Sequence, residues 1–274
     1  MVWRRLRRNR LSMVGMLIVV IYVAVAVFAP VIAPSDPTLQ NLDENLRGPS
    51  PAHLLGQDEF GRDILSRVIY GARISMAIGA LSVALGFVVG SSLGTLAGFY
   101  GGWVDALIMR SMDILLALPG ILLAIALIAA LGVGIDNVIL AVGIYTIPQY
   151  ARLTRSTVLS VTHQVYVDAA RAVGVPARRI ILLHVVPNAI GPLIVFSALR
   201  FSTAILTASG LSFLGLGVQP PEAEWGAMLA ASRQYLRVAP HIAFAYGTAL
   251  SLLVLGFNIL GEGVRDALDP RATL

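Results

Sequence analysis

The chain has 274 residues, of which 57% are hydrophobic and only 13% are charged, and its mean hydropathy is +0.81. Soluble domains carry roughly 25% charged residues, so this composition indicates an integral membrane protein. There is no cysteine, and all 20 basic residues are arginine, which excludes disulfides, zinc–thiolate sites and the lysine of an ATP-binding P-loop. The net charge of +5 comes from arginines beside apolar runs, so it indicates membrane topology rather than nucleic-acid binding.

The first apolar run follows an arginine-rich start. Residues 3–10 contain five arginines, and Leu11–Ile32 is long enough to cross a bilayer core of about 30 Å as a helix. A cleaved signal peptide is the alternative, and the length of the run argues against it. Because arginine-rich flanks stay in the cytoplasm, we expect the N-terminus inside and the polar connection 33–73 outside.

The end of that connection has the pattern of an amphipathic helix. In Phe60–Arg73 the apolar residues recur at helical spacing opposite a polar face that includes Arg62 and Arg67, so we predict a helix along the membrane surface. Four nearby side chains have the chemistry of metal ligands: His53, Asp58, Glu59 and Asp63. Their spacing fits no standard metal site, which favours a solvated or salt-bridged face.

Two spans follow the connection. Ile74–Phe99 is the second, and its glycines recur every four residues, at Gly86, Gly90, Gly94 and Gly98. They form one stripe that lets a neighbouring helix backbone approach closely, within the subunit or between subunits. Met112–Leu131 is the third span, and Pro119 is expected to kink it. At its start, Arg110 and Asp113 have the spacing of a helical ion pair.

An arginine-bearing segment follows the predicted fourth span, Asn137–Tyr150. Val165–Pro187 reads as two short helices, with Gly174 in a left-handed C-cap and Pro176 in the first turn of the second helix. Four crossings put this hairpin in the cytoplasm, in agreement with its arginines: Arg152, Arg155, Arg171, Arg178 and Arg179. Its alanines and Gly174 leave a low-relief surface, so we expect it to dock onto a partner protein.

The fifth and sixth predicted spans are Ile190–Leu214 and Ile242–Leu260. Arg200 lies inside the fifth span, where an arginine costs at least ~2.5–3.5 kcal/mol at mid-depth and normally faces protein or a water-filled cavity. Two interpretations of Arg200 remain open. It either snorkels or pairs structurally, or it lines a transport path.

The hairpin carries a recognisable motif. Asp168-Ala169-Ala170, then Gly174, then Val186-Pro187, resembles the EAA loop in the permease subunits of binding-protein-dependent ABC importers. Asp168 replaces the usual Glu, and His184 and Val186 stand where the pattern has Ile and Leu. Further segments are similar to the C-type permease of dipeptide, oligopeptide and nickel importers: His53–Asp63, Gly71–Ser75, Gly101–Asp105, Asp113–Pro119, Leu211–Pro221 and Asp266–Arg271.

This resemblance covers nearly the whole chain and implies a fold. The expected architecture is an all-α membrane protein with six transmembrane helices, the type I ABC importer permease fold and a cytoplasmic coupling helix between spans four and five. It divides the chain into an N-terminal region (1–73), an ABC transmembrane core domain (74–262) and a cytoplasmic tail (263–274). The expected location is the bacterial or archaeal plasma (inner) membrane, with both termini cytoplasmic.

The resemblance also implies a function. The chain is expected to be a transport subunit and no enzyme, forming half of a transmembrane pathway for di- or oligopeptides. Expected partners are a homologous second permease, two ATP-binding subunits that hold ATP and Mg, and an extracytoplasmic solute-binding protein, with no cofactor in this chain. The residues expected to contact an ATPase are Asp168, Ala169, Ala170, Arg171, Gly174, Val175, Pro176 and Arg178.

Three alternatives stay open at this stage. The same architecture serves nickel or another small solute, because the binding protein largely selects the substrate in this family. A stand-alone secondary transporter needs broken midplane helices and ionisable groups for coupling ions, and the sequence offers only Arg200 and Asp113. An intramembrane enzyme needs a catalytic constellation within the spans, and the sequence contains none that we recognise.

Overall fold

The computed structural model describes Leu6 and residues 9–268; the predicted arginines at positions 4, 5, 7 and 8 and the motif residues 269–271 lie outside this part of the chain. The described part is helical and contains no β-strand, only an isolated bridge between Gln57 and Asp63. Its α-helices are, in chain order, α1 (Arg10–Ile32), α2 (Ile64–Leu85), α3 (Ser91–Tyr100), α4 (Gly102–Leu116), α5 (Gly120–Leu131), α6 (Ile135–Thr162), α7 (Val165–Ala172), α8 (Ala177–Ile180), α9 (Val186–Phe213), α10 (Trp225–Ser232) and α11 (Pro240–Leu268).

Four helices in the described residues are long and apolar enough to cross a membrane. They are α1, the continuous helix Ile64–Tyr100, the continuous helix Ala177–Phe213, and α11. The bent pair α4 and α5 is a fifth candidate. Helix α6 is 28 residues long but more polar, with Asp136, Gln149 and Arg152 along it. The all-α membrane class is therefore confirmed, and the count of six spans stays a prediction.

Two π-helical segments connect α-helices into long continuous rods. Gly86–Gly90 joins α2 to α3, and Ile181–Val185 joins α8 to α9. The predicted break between the two short helices of the hairpin lies between Ala172 and Ala177. The second of these helices and the predicted fifth span, Ile190–Leu214, form one helix from Ala177 to Phe213. Pro187 has no N–H to donate to the preceding turn, and the wider π turn directly before it accommodates that loss without ending the helix.

The glycine stripe packs against α6 within the same chain. A side chain at Gly90 would meet the Ile147 carbonyl oxygen at 2.5 Å, and one at Gly98 would meet the Arg155 carbonyl oxygen at 2.9 Å. The stripe therefore brings the α3 backbone directly against the α6 backbone. This answers the question that the sequence left open, since the close approach lies within the subunit.

Pro119 ends one helix and starts the next. The axes of α4 and α5 differ by 88°, and Pro119 stands immediately before the first residue of α5. The predicted kink is confirmed and is a sharp corner rather than a gentle bend. Both helices of the corner contact α6, and α4 meets it at Arg152 and Arg155.

The end of the bundle remote from the hairpin carries a buried polar layer, formed by residues 33–63, the start of α2 and the segment around α10. Arg62 Nε donates to Asp58 Oδ2 at 2.7 Å, and Arg67 Nε lies 3.3 Å from the same oxygen. Glu224 accepts hydrogen bonds from the first backbone N–H groups of α10. Charged groups are buried here because each has a partner, which offsets the loss of hydration.

The polar layer corrects one prediction. No separate amphipathic helix covers Phe60–Arg73, because α2 begins at Ile64, with Asp63 as its N-cap, and continues into the span. Arg62 and Arg67, expected to face solvent, are 5% and 3% exposed. Their burial follows from pairing with Asp58, which an amphipathic pattern alone does not reveal.

The candidate metal ligands of this layer are engaged in other contacts. His53 Nδ1 lies 2.9 Å from Asp63 Oδ1, and Asp58 pairs with Arg62. Within the described residues, no three His, Cys, Asp or Glu side chains are grouped as a metal site. The salt-bridged interpretation therefore describes these residues. Burial raises the pKa of the Glu59 carboxyl. Its Oε1 lies 3.5 Å from Arg62 Nη2.

We predict that Gly94→Ala destabilises the protein. The added methyl group would collide with the Ala151 carbonyl oxygen, which belongs to the α6 backbone and cannot rotate away. Overpacking of this kind costs about 1–3 kcal/mol, so the melting temperature of the purified protein should fall. Gly210→Ala in α9 is the matched control, since nothing lies within 4 Å of its new methyl group. Equal melting temperatures for the two variants would contradict the backbone contact.

We predict that Glu59→Gln changes the pH dependence of stability. Because burial raises the pKa of Glu59, its neutral form stabilises the fold at low pH, and this stability is lost as pH rises from the ordinary carboxyl pKa of roughly 4.3 through the raised folded value. Glutamine stays neutral, so the melting temperature of the variant relative to wild type should increase between pH 4 and pH 8. Glu44→Gln, at a surface pair with Arg47, should show no such increase. The same melting-temperature difference at both pH values for Glu59→Gln would refute the prediction.

Candidate functional site

The hairpin after α6 is a short helix closed by a glycine. Helix α7 ends in a Schellman arrangement, in which the Val175 N–H donates to the Ala170 carbonyl at 3.1 Å and the Gly174 N–H donates to the Arg171 carbonyl at 3.0 Å. Gly174 has a φ of +77°, as the sequence predicted. Glycine takes this conformation without the steric cost that a Cβ adds. Pro176 caps α8 rather than entering its first turn.

A small apolar cluster, separate from the main core, holds the hairpin to the bundle. Its buried members come from α6, α7 and the continuous helix Ala177–Phe213: Val158, Val161, Val167, Ile180, Val185 and Ala189. Phe99 at the end of α3 packs against it together with Ala170 and Val175 of the hairpin. We call these residues the hairpin cluster. It ties α3, α6, α7 and the start of the α8–α9 helix into one unit.

The opposite side of the hairpin is exposed. Val165 and Val173 are 84% and 79% exposed, although both are apolar. Asp168 and Arg171 form a surface pair at 3.2 Å, and the Arg171 guanidinium lies 5.7 Å from the centre of the Phe99 ring. Exposed apolar side chains beside small residues are typical of a surface that another protein covers. Most of the candidate residues are exposed here: Asp168, Ala169, Arg171, Gly174, Pro176 and Arg178. Ala170 and Val175 instead pack against the hairpin cluster.

Two ion pairs connect α4 to α6 next to the hairpin cluster. Arg155 donates from Nε and Nη2 to the two oxygens of Asp105, both at 2.5 Å, in a bidentate fork. Arg152 Nη2 donates to Asp113 Oδ1 at 2.5 Å. The sequence suggested Arg110 as the partner of Asp113, and the structure pairs Asp113 with Arg152 instead. A cross-helix partner holds this carboxylate because α4 packs against α6.

Arg200 lies half-buried on α9, away from the hairpin. Its guanidinium stacks 4.6 Å from the centre of the Phe196 ring. No acidic side chain of the described residues forms an ion pair with it. One turn nearer the hairpin, Tyr150 of α6 donates to the Ser197 hydroxyl at 2.9 Å and packs edge-on against Phe196. Arg200 is thus oriented by an aromatic ring and has no counter-ion in this part of the chain.

A groove begins beside Arg200 and extends toward the end of α11. It has a volume of about 570 Å³, and its lining combines apolar side chains of α6 and α9 with one arginine: Leu153, Gly191, Pro192, Val195, Phe196, Leu199, Arg265 and Leu268. Phe196 is shared between the groove and the Arg200 stack. Arg265 is the one charged residue in this lining, and Arg200 adjoins the groove only through the ring of Phe196.

Sequence reasoning found the hairpin but missed the partners of its neighbours. Asp105 and Arg155 are 50 residues apart, and Asp113 and Arg152 are 39 apart, so no local spacing connects them. Arg265 was assigned only to a charged tail. Asp105 and Asp113 were the available signal for these partners. A carboxylate beside an apolar run requires a cation nearby.

Family comparisons agree with this architecture. Residues 86–274 match the family described as "Binding-protein-dependent transport system inner membrane component", and residues 1–49 match the "N-terminal TM domain of oligopeptide transport permease C". The dipeptide transport system permease protein DppC of Alkalihalophilus pseudofirmus is 45% identical over 269 residues, covering 98% of this chain and 88% of that protein. The glutathione transport system permease protein GsiD of Escherichia coli O6:K15:H31 is 49% identical over 270 residues, covering 98% and 89%.

A solved structure shares the fold. One chain of the MetNI methionine ABC transporter, in an inward-facing conformation, superposes with a TM-score of 0.60 at 19% identity, covering 74% of this chain and 97% of that chain. Identity at this level supports a shared fold alone, which is the type I permease fold expected from the motifs. The chain belongs to the family of binding-protein-dependent transport system inner membrane components, as a C-type permease of an ABC importer.

Proposed function

We propose that this chain forms half of the transmembrane pathway of an ATP-driven importer of di- or oligopeptides. Two relatives that match 98% of the chain are named for dipeptide and for glutathione transport, and both kinds of solute carry a peptide bond and free carboxylates. The unpaired Arg200 beside a groove with a second arginine supports an anionic substrate. Nickel or another small solute is the alternative substrate class.

The proposed assembly contains a homologous second permease, two ATPases and an extracytoplasmic solute-binding protein. ATP binding is assigned to the other chains because this chain has no lysine for a P-loop. The chain lies in the inner membrane with both termini in the cytoplasm. If α6 and the bent pair α4–α5 each count as one crossing, four crossings bring the hairpin to the same side as the arginine-rich N-terminus, and two more return the chain to that side at its C-terminus.

The hairpin is the proposed contact with an ATPase, and its exposed surface on a firmly anchored base carries this assignment. Asp168, Ala169, Ala170, Arg171, Gly174, Val175, Pro176 and Arg178 form or border that surface. A force on α7 would reach α9 through the unbroken helix that starts at Ala177, and would reach α6 through the hairpin cluster. ATP and delivered substrate then bias one inward–outward equilibrium by binding its states with different affinity.

Arg200 is the proposed substrate contact in the path. An arginine without a counter-ion inside an apolar helix favours any anion that passes, and a peptide carboxylate offers two oxygens for a bidentate pair. Phe196 fixes the direction of the guanidinium. The groove below leads from this level toward Arg265 at the hairpin side, so it is a suitable exit path in an inward-open state.

We predict that Gly174→Arg uncouples transport from ATP hydrolysis. The long side chain fills the open space over the hairpin, where a Cβ meets nothing within 4 Å, and so prevents docking of an ATPase. In proteoliposomes containing the complete transporter, peptide uptake and substrate-stimulated ATP hydrolysis should both fall at least tenfold. Normal values for both activities would disprove the coupling role.

Two controls separate docking from backbone strain. Gly174→Ala has the same positive φ and the same strain of about 1 kcal/mol without bulk, so it should keep most of the activity. Gly215→Arg places the same side chain in an equivalent Schellman turn at the far end of α9, with φ of +80° and open space. It should leave ATPase docking intact, measured by co-purification of the subunits.

We predict that Arg200→Gln lowers uptake of substrates with a free C-terminal carboxylate. Loss of one charged hydrogen-bond partner is worth about 1.5–3 kcal/mol, so uptake should fall roughly 10- to 100-fold while subunit assembly stays normal. Peptides with an amidated C-terminus should be transported equally by wild type and variant. The exposed Arg110→Gln is the matched control. Loss of assembly together with transport would instead assign Arg200 a structural role.

A further inference from the structure

A second groove lies on a different face of the bundle and has no charged lining residue. It occupies about 450 Å³ between the rod Ile64–Tyr100 and the rod Ala177–Phe213, with Thr154 of α6 at its base. Both π-helical segments contribute to it, through Phe87 and Val88 on one side and Ile181 and Leu182 on the other. The widening of each rod at its π turn therefore shapes this space.

The dimensions of this groove match one leaflet of a bilayer. Along α9 its lining extends from Ile181 to Leu193, which is ~18 Å at 1.5 Å per residue. Along the other rod it extends from Phe87 to Leu96, or ~14 Å. Half of a hydrocarbon core of ~30 Å is ~15 Å. A single extended acyl chain of one leaflet would therefore be covered along its length.

Positive charge stands at one end of the groove only. Arg178 and Arg179 precede Ile181 and Leu182 by about one helical turn, and both are exposed. The opposite end, near Leu193, is apolar. A phospholipid has the same polarity, with a charged headgroup at one end and a hydrocarbon tail at the other. Two arginines at the head end favour an anionic headgroup, and anionic lipids are enriched in the cytoplasmic leaflet.

We propose that this groove binds one anionic phospholipid of the cytoplasmic leaflet, with an acyl chain between the two rods and the phosphate at Arg178 and Arg179. The proposal rests on the orientation given above, in which the hairpin faces the cytoplasm. The lipid contacts both the rod that carries the glycine stripe and the rod that continues from the hairpin. The lipid is thus a ligand of the space between the two rods and lies outside the proposed substrate path.

The test measures lipid binding to the purified complete transporter. After delipidation, phosphatidylglycerol with a photoreactive group in its acyl chain is added, and phosphatidylcholine with the same chain is the neutral probe. We expect crosslinks to residues 87–96 and 181–193, at least tenfold more from phosphatidylglycerol. Arg179→Gln, which leaves the proposed ATPase contact Arg178 in place, should weaken phosphatidylglycerol binding about fivefold, since one arginine near the membrane surface is worth ~1 kcal/mol. Arg110→Gln should leave binding unchanged.

A filled groove provides the second arm. Ser92 lines the groove with its hydroxyl bonded to the Val88 carbonyl, so Ser92→Trp should abolish the crosslink. Ser111→Trp is the matched control, because Ser111 is also exposed and bonds the Leu107 carbonyl one turn earlier. Equal labelling by the two lipids, unchanged labelling of Ser92→Trp, or occupation by a helix of the second permease, found by disulfide crosslinking of introduced cysteines, would each overturn the proposal.

The readout also separates this proposal from the proposed function. Lipid retention is measured without transport, so uncoupling by Gly174→Arg with normal phosphatidylglycerol labelling would support both assignments. Normal coupling in Gly174→Arg together with normal labelling would refute the ATPase contact and leave the lipid site standing. Loss of selective labelling in wild type, with coupling behaviour as predicted, would remove only the lipid site.

Discussion

The close contact between α3 and α6 is the constraint on which the other features depend. Glycines at every fourth position remove the side chains that would separate the two backbones. Within a bilayer no hydrophobic driving force brings helices together, so contact area at van der Waals distance has to supply the attraction. Once α3 lies on α6, Phe99 reaches the hairpin cluster, and the turn after Tyr100 delivers Asp105 to Arg155.

Charge is handled differently in the three regions of the molecule. In the polar layer, Asp58 is matched by Arg62 and Arg67, and burial is tolerated because the partners are held in place. Beside the hairpin, two ion pairs, Arg155 with Asp105 and Arg152 with Asp113, hold α4 against α6. Arg200 has a ring and no carboxylate among the described residues. Arg200 therefore differs from the arginines of the polar layer and of the α4–α6 contact, each of which meets a carboxylate.

Sequence patterns predicted local features well and long-range partners poorly. The left-handed Gly174, the corner at Pro119 and the glycine stripe each follow from the properties of one residue type at one spacing, and all three are confirmed. Amphipathic periodicity misassigned Phe60–Arg73, because a polar face that meets buried carboxylates has the same pattern as one that meets water. Ion pairs across 39 or 50 residues leave no periodic signal at all.

The candidate site was predictable to the same extent. The motif identified the surface residues of the hairpin, and the family comparison supports the class of protein to which they belong. The hairpin cluster that anchors them was not predictable, because it combines residues from segments between Phe99 and Ala189. Apart from Phe99 and Ile180, its members are valines and alanines, which occur throughout the chain and do not mark a site in the sequence.

The length of the rod Ile64–Tyr100 has a mechanical consequence. Ile64–Tyr100 has 37 residues and is ~55 Å long, whereas the hydrocarbon it crosses is ~30 Å thick. At one end the rod starts within the polar layer, and at the other it ends on the hairpin cluster. Because the helix is continuous, a tilt imposed at either end tilts its whole length. The two surfaces of the membrane are thereby connected by one continuous helix, whose π-helical segment Gly86–Gly90 lies about two-thirds of the way from Ile64 to Tyr100.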